Sequence, residues 1–547
     1  MRRILVALVI FYTAIETGLP QSTPFSLVPV TLKPMEYSSC AWGDYDNDGD
    51  LDAVLSGAST AAPITCLYQN NSGVLAEVGS GLPGFSNTSI EWGDYDKDGD
   101  LDLLITGMDM TGEYSTKIFN NAAGTFSDAG VILPGVSDGQ AAWGDLDNDG
   151  DLDILLAGNN QAKIIRNDGN NQFTEVSAPL TPVINASCSW VDYNNDGQLD
   201  ATISGDSIGG MLTRLYKNNQ GQFTEVIVGP TPFMGLNSGK CKWADMDGDG
   251  RQDLVLSGMD MDANGHLVVY RNNGNDQFEM FDNMTTNVRY SSLDIGDYDG
   301  DGLPDIIFMG KVPGCGGTAV TMLFQNLGFM QFFEIGTDIP GYSYGDVKWG
   351  DFNNDGYSDI LITGVDGYFA PTAAIFKNNA GTGTYKINTA PSTPDGLTVE
   401  PLSGGIVLRW NSADDNETPK QSITYNISIG TQPGFSDIFS AMADETTGYR
   451  RIAAQGNCTA DTSWTITGIS SGDYWFSVQA LDNGFLPGSF ATPVPFTYNT
   501  PVGFAETPSK SLHVYPNPCQ DQVRVMECGI WDLGSGIWDG RCEDDDI

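Results

Sequence analysis

Between Asp44 and Gly364 the chain alternates short apolar runs with polar clusters, and no stretch sustains helical spacing. The runs are "AVLS", "LLIT", "ILLA", "ATIS", "LVLS", "IIFM" and "ILIT". Each follows a cluster of aspartates and ends on a glycine: Gly57, Gly107, Gly158, Gly205, Gly258, Gly310 or Gly364. Continuous apolar runs this short, bounded by turn residues, predict strands covered on both faces. An aromatic or aliphatic pair and an Asn-rich turn come next, as in "LYQNNSG", "IFNNAAG", "LYKNNQG" and "IFKNNAG", and a strand such as "QFTEV" closes most units. Each unit therefore predicts four strands: one before the aspartates, one after them, and one on each side of the Asn turn.

The aspartate clusters share the pattern D-x-[DN]-x-D-G-x-x-D, which begins at Asp44, Asp94, Asp145, Asp192, Asp245, Asp297 and Asp351. A tryptophan lies two residues before the first Asp in six copies (Trp42, Trp92, Trp143, Trp190, Trp243, Trp349), and Ile295 stands there in the other. A period near fifty residues without helical pattern predicts propeller blades or stacked β-modules. So short a module buries too little core alone, whereas blades share their faces with neighbours. The expected fold class is therefore all-β, with a seven-bladed β-propeller over residues 25–388.

Clustered carboxylates repel one another unless a cation sits among them, and a central glycine lets a tight turn aim them at one point. Hard oxygen ligands fit Ca²⁺. By analogy with other such loops, side-chain ligands fall at positions 1, 3, 5 and 9, with a backbone carbonyl at position 7. The candidate ligands are Asp44, Asp46, Asp48 and Asp52; Asp94, Asp96, Asp98 and Asp102; Asp145, Asp147, Asp149 and Asp153; Asp192, Asn194, Asp196 and Asp200; Asp245, Asp247, Asp249 and Asp253; Asp297, Asp299, Asp301 and Asp305; and Asp351, Asn353, Asp355 and Asp359. An EF-hand needs a Glu at position 12. Here that position holds Leu55, Ile105, Leu156, Ile203, Leu256, Phe308 or Ile362, so that reading fails. Up to seven structural Ca²⁺ ions are expected, bound at roughly 10⁻⁴ to 10⁻³ M as in extracellular modules.

The formal charge of -46 points the same way and argues against nucleic acid, which needs clustered Lys and Arg. "MRR" followed by "ILVALVIFYTAI" reads as a signal peptide over residues 1–21, with no transmembrane segment left after cleavage and an extracellular or outer-surface location. Nine cysteines suggest disulfides, yet Cys40, Cys188 and Cys241 fall where other units carry Ile90, Ala141, Leu293 and Val347, and so read as small buried residues. Cys66, Cys315 and Cys458 stay open. Only His266 and His513 are present, which removes histidine triads and histidine-rich zinc sites, and no G-x-S-x-G or P-loop pattern occurs. Carboxylate pairs of glycosidase type, or a lyase using Tyr, Lys or Arg, stay open.

These units resemble the FG-GAP and VCBS repeats of integrin α-like propellers. That resemblance implies calcium loops between the first and second strands of each blade, and a binding platform whose ligands are commonly taken away from the calcium. Beyond a Pro-rich linker at 387–396, "GIVLRWNS", "ITYNISIG" and "ISSGDYWFSVQALD" resemble a fibronectin type III sandwich over 391–498, with Trp410 in its core and Tyr474 at the tyrosine corner. After a linker at 499–511, "LHVYPNPCQDQVRV" resembles the start of a type IX secretion sorting domain of Bacteroidetes-like bacteria, carried by Tyr515, Pro516, Asn517 and Pro518. The remainder of 512–547 departs from that pattern and is too short, as a truncation or frameshift would leave it. The implied partners are the type IX machinery and a glycan or protein ligand at the cell surface. The expected role is non-catalytic adhesion or recognition, with an extracellular polysaccharide hydrolase or lyase as the alternative.

Overall fold

A computed structural model describes residues 24–499, apart from 230–231, 285–286, 315–316, 380–387 and 403, together with two short strands further on. The predicted signal peptide, the linker at 499–511 beyond Asn499, Cys315, Cys519, Cys528 and Cys542 lie outside the described residues. So does the sorting segment, except that Val514–Pro516 pairs antiparallel with Val523–Val525. Among the described residues there is no helix, and none therefore long and apolar enough to cross a membrane.

Every aspartate cluster sits between two antiparallel strands, as its spacing requires. In the first sheet Glu36–Gly43 pairs with Asp52–Ala58, which pairs with Pro63–Asn71, which pairs with Val74–Val78. Five further sheets repeat this order, beginning at Phe85, Gln140, Ile184, Cys241 and Arg289. The seventh has Val347–Gly350, Asp359–Val365 and Pro371–Asn378, and its fourth strand is Phe25–Leu27 from the other end of the chain, with Phe25 opposite Asn378. Nothing in the repeat pattern foretold that borrowed strand.

Seven apolar clusters lie between successive sheets and close the circle, which makes this a β-propeller. One joins the first and second sheets through Leu67, Trp92 and Phe119; another joins the seventh to the first through Leu361, Ile375 and Trp42. The tryptophans explain the glycine beside them. A Cβ on Gly43 would lie 2.6 Å from the Trp92 ring of the next sheet, and one on Gly350 would lie 2.5 Å from Trp42. Where the sixth sheet has Ile295 instead of Trp, the fifth has Ala244 instead of Gly, and the two pack in one cluster.

Two three-stranded sheets come after the propeller. Asp395–Leu402, Gly405–Asn411 and Ser463–Thr467 form one; Thr424–Gly430, Gly472–Leu481 and Val494–Tyr498 form the other. They enclose Trp410, Tyr425, Trp464 and Phe476, and the Tyr474 hydroxyl donates to the Ser470 carbonyl at 2.9 Å.

This sandwich is seated on the aspartate-loop face of the propeller. Thr467 N–H donates to the Asn148 carbonyl (2.8 Å), Asp44 N–H to the Arg451 carbonyl (2.9 Å) and Asp297 N–H to the Asn483 carbonyl (3.1 Å). Residues 431–462, an excursion between two sandwich strands, reach the inner strands: Ile452 bridges Gly43, and Ala453 and Ala454 line that end of the central channel.

Candidate functional site

The seven loops fold around their first aspartate. In the first loop, Asp44 Oδ1 accepts the Asp48 N–H at 3.0 Å and Oδ2 accepts the Gly49 N–H at 3.1 Å; the Asp145, Asp192, Asp245, Asp297 and Asp351 carboxylates are held likewise. This wrap needs a left-handed residue at position 4 (Asn47, Lys97, Asn148, Asn195, Gly248, Gly300, Asn354), the conformation Asn and Gly tolerate best.

Position 9 opens the second strand and is fully buried. Asp52 Oδ2 accepts the Tyr45 N–H (3.1 Å) and Oδ1 accepts the Asn70 N–H (2.7 Å); Asp102, Asp153, Asp253 and Asp305 are held in the same way. In several loops position 3 has its outer oxygen occupied: Asp46 accepts from Gln69 (2.5 Å), Asp96 from Asn120 (2.6 Å), and Asp247 pairs with Arg271 (2.6 Å). The inner oxygen is the informative one. Oδ1 of Asp46, Asp147 and Asp247, and the amide oxygen of Asn194, are buried with no hydrogen-bond partner. A buried carboxylate oxygen that accepts no hydrogen bond and sits among other carboxylates is unfavourable unless a cation reaches it.

Among the described residues, five sets of carboxylate oxygens lie within 4.8 Å of one another and could hold a metal ion: Asp44, Asp46, Asp48; Asp94, Asp96, Asp102; Asp145, Asp147, Asp153; Asp245, Asp247, Asp253; and Asp297, Asp299, Asp305. The structure thus gathers positions 1 and 3 in all five, with 9 in four sets and 5 in one. Position 5 is turned partly elsewhere, since Asp48, Asp98, Asp149, Asp196, Asp249, Asp301 and Asp355 each accept the N–H two residues on. In the loops with Asn194 and Asn353 the amide donates to Asp200 (3.5 Å) and Asp359 (2.8 Å). Burial pushes Asp44, Asp94, Asp192 and Asp351 up to about 6, Asp52 to about 8, and Asp102 and Asp200 to about 9. A positive partner would favour the ionised form of each of these groups.

Sequence reasoning noticed the Asn-rich turns and missed their work. One Asn per sheet donates through Nδ2 to a carbonyl in the loop of a neighbouring sheet, and in six of the seven also to a carbonyl in its own loop. Asn121 bonds Leu101 (3.0 Å) and Tyr45 (2.7 Å); Asn167, Asn218, Asn272, Asn326 and Asn378 reach Tyr95, Leu146, Tyr193, Met246 and Tyr298; Asn70 closes the circle on Phe352 at 2.6 Å. Their recurrence beside each Asn turn was the available signal. Two loop aspartates are also tied to the sandwich, Asp94 by the Ser440 hydroxyl and Asp245 by the Ser422 hydroxyl, both at 2.6 Å.

At the other end of the channel a second ring was missed. Seven residues before each first Asp stand Tyr37, Asn87, Asp138, Asn185, Ser238, Tyr290 and Tyr344, all left-handed with φ between 47° and 55°. Hydrogen bonds run from one to the next: Tyr37 N–H to Tyr344 O (2.7 Å), Asp138 N–H to Asn87 O (3.3 Å), Ser238 N–H to Asn185 O (3.0 Å). With their neighbours they line a cavity of about 360 Å³. Cys40, Cys66, Cys188, Cys241 and Cys458 are buried free thiols, and His266 is bonded to Asp260 at 2.8 Å.

Four stretches of the chain, 44–105, 145–203, 192–256 and 245–308, match the family model described as FG-GAP-like repeat. No curated protein matches the chain in sequence. Solved structures of similar fold include a lectin from Burkholderia pseudomallei (9% identity, 65% of this chain and 100% of that one, TM-score 0.45). Another is an Agrocybe aegerita lectin, whose structure concerns recognition of non-reducing terminal N-acetylglucosamine (18% identity, 56% and 81% covered, TM-score 0.39). A third is AofleA from Arthrobotrys oligospora (13% identity, 55% and 87% covered, TM-score 0.36). Likenesses this loose carry no argument about ligand or site. Each matched stretch starts on a loop's first Asp and ends in the second strand of the next sheet, so the chain carries four FG-GAP-like repeats laid along the aspartate loops of an all-β propeller.

Proposed function

We propose that this protein is a secreted or cell-surface recognition module: a seven-bladed propeller, stabilised by calcium in its aspartate loops, that presents its free face to a glycan or protein ligand without chemical change. The observation that carries this reading is the seating of the sandwich. It covers the loop face, so the opposite face is the one left open. Exposed Met110, Ile208, Met261, Tyr368 and Phe369 stand at hairpins joining second and third strands, which end on that side. Apolar side chains gathered on one exposed face mark an interaction surface.

Calcium is favoured by an all-oxygen donor set in loops of mixed carboxylate and carbonyl groups. The buried orphan oxygens of position 3 support a cation of some kind; the ion would be held by positions 1, 3 and 9, and would supply positive charge only. The Tyr474 hydroxyl on the Ser470 carbonyl supports a fibronectin type III-like reading of the sandwich. Export by the N-terminal segment, and a partial sorting role for 512–547, complete the proposal.

The test is retention of the full chain, in calcium buffer, on immobilised polysaccharides and on cell surfaces, with polymer length followed at the same time. Retention without shortening is expected. Shortening of any polymer would replace this reading with the enzyme one.

A further inference from the structure

We propose that the channel mouth on the free face is a sugar-binding pit that takes the terminal ring of a neutral glycan chain, with Tyr37, Tyr290 and Tyr344 against the ring and Asn87, Asp138 and Asn185 on its hydroxyls. This rests on the recognition reading above and gives it a place and a ligand class.

The argument starts from strain. Asn and Asp accept a left-handed backbone readily, but a bulky tyrosine there is an outlier, and the mouth holds three. Strained residues gathered in one cavity point to a ligand clamp. The seven positions are equivalent in backbone and unequal in side chain, and the inequality is ordered around the ring. The sixth, seventh and first sheets supply tyrosines; the second, third and fourth supply Asn, Asp and Asn.

On the tyrosine side, Tyr290 and Tyr344 stack with centroids 4.7 Å apart and planes 27° from parallel, and Tyr37 lies 5.4 Å from Tyr344. Tyr37 and Tyr290 are 45% and 40% exposed, so much of this plate is open to a ligand. On the polar side, Asn87 Nδ2 donates to Asp138 Oδ2 at 3.3 Å, which holds that carboxylate in place. A pyranose has the matching two-sided chemistry: a face of C–H groups that packs on aromatic rings, and hydroxyls that both donate and accept.

Charge selects a neutral sugar. Lys311 Nζ already lies 5.3 Å from the Tyr344 ring centroid and 4.6 Å from that of Phe369, so a cationic ligand would meet an ammonium beside the plate. Asp138 and the overall charge of -46 oppose an anionic one. The pit is walled by residues of all seven sheets, and Ile452, Ala453 and Ala454 line the far end of the channel. A pit ringed on every side and entered from its mouth suits a chain end.

The experiment is saturation-transfer NMR and calorimetry on the full chain in calcium, with neutral hexoses and their short oligomers, glucuronic acid and glucosamine as probes. Wild type is expected to bind neutral sugars over both charged ones. Tyr290→Asn removes the ring while keeping a residue that tolerates φ near 50°, and should weaken binding about tenfold at an unchanged melting temperature. Asp138→Asn should weaken it too, whereas Val74→Ala, an exposed site at an Asn turn on the opposite, aspartate-loop side, should leave it unchanged. Equal binding by wild type and Tyr290→Asn would overturn the pit while leaving the recognition reading intact. Preference for a charged sugar would overturn the ligand class. Binding of no sugar, together with retention on a protein surface, would overturn this inference alone; retention on nothing would overturn the broader reading as well.

Discussion

The two faces of the propeller are built from one repeat and have diverged in opposite ways. On the loop face the seven copies are nearly the same residue by residue, because buried carboxylates, their backbone donors and an inter-sheet Asn must all be present for any one copy to be stable. At the channel mouth the seven copies share a backbone conformation and almost nothing else. Uniform residues mark what the ring needs to stand, and a uniform backbone carrying varied side chains marks what the ring is free to offer.

The largest test of that contrast is to take the cation away. One ion present at about a hundred times its dissociation constant contributes roughly 2.7 kcal/mol, and several loops act together. Chelation with EDTA is therefore expected to lower the melting temperature by more than ~10 °C in scanning calorimetry, with any sugar binding lost along with the fold. An unchanged melt would mean that the acidic face is solvated charge and nothing more.

Asn121→Ala comes next. It strips the donor from two buried carbonyls, Tyr45 and Leu101, and should cost about 2–4 kcal/mol in urea unfolding with calcium present. A loss below ~0.5 kcal/mol would show that the inter-sheet Asn bonds do not hold the ring.

Asp46→Asn probes the non-uniform loops. It gives the first loop the neutral position 3 found at Asn194 and Asn353, and should weaken one calcium step by about tenfold while leaving the others in place. An unchanged titration would place the ion away from position 3.

The smallest effect concerns acid. Asp346 is buried, which alone would raise its pKa, but Lys348, Lys240 and the Ser292 and Ser39 hydroxyls outweigh burial and hold it well below the usual carboxylate range; Asp294, Glu91 and Cys40 also face Lys348. Its contribution is fully present above the unfolded value of about 4 and is lost as pH falls below it. Asp346→Asn should be less stable than wild type at neutral pH, with the gap narrowing below about pH 4 in calcium-free melts; a constant gap would count against this assignment.

Much of this was legible in the sequence, for reasons that can be given residue by residue. The aspartate loops, the apolar second strands and the Trp positions recur by identity, and identity is what a repeat search detects. The burial of Trp410 and the bond made by Tyr474 were expected through the resemblance to a fibronectin type III sandwich. The ring of left-handed residues was not, because Tyr37, Asn87 and Ser238 share a torsion angle and no side-chain chemistry. The seating of the sandwich on the loops was also hidden. It is made by main-chain groups of Arg451, Asn483 and Thr467 and by the hydroxyls of Ser422 and Ser440, none of which any repeat or pattern in the sequence marks.

The borrowed strand sets an order of events. The Ser26 hydroxyl donates to Asn379 across 353 positions of chain, and Phe25 packs with Tyr298 and Trp349. That seam joins segments far apart in sequence, and contacts of such separation form late. Until both segments have emerged from whatever delivers the chain, the circle stays open with a raw sheet edge and an apolar seam exposed to neighbouring molecules. Completion of the ring is thus a checkpoint on the whole propeller, since a chain cut short on either side of the seam leaves seven sheets that cannot close.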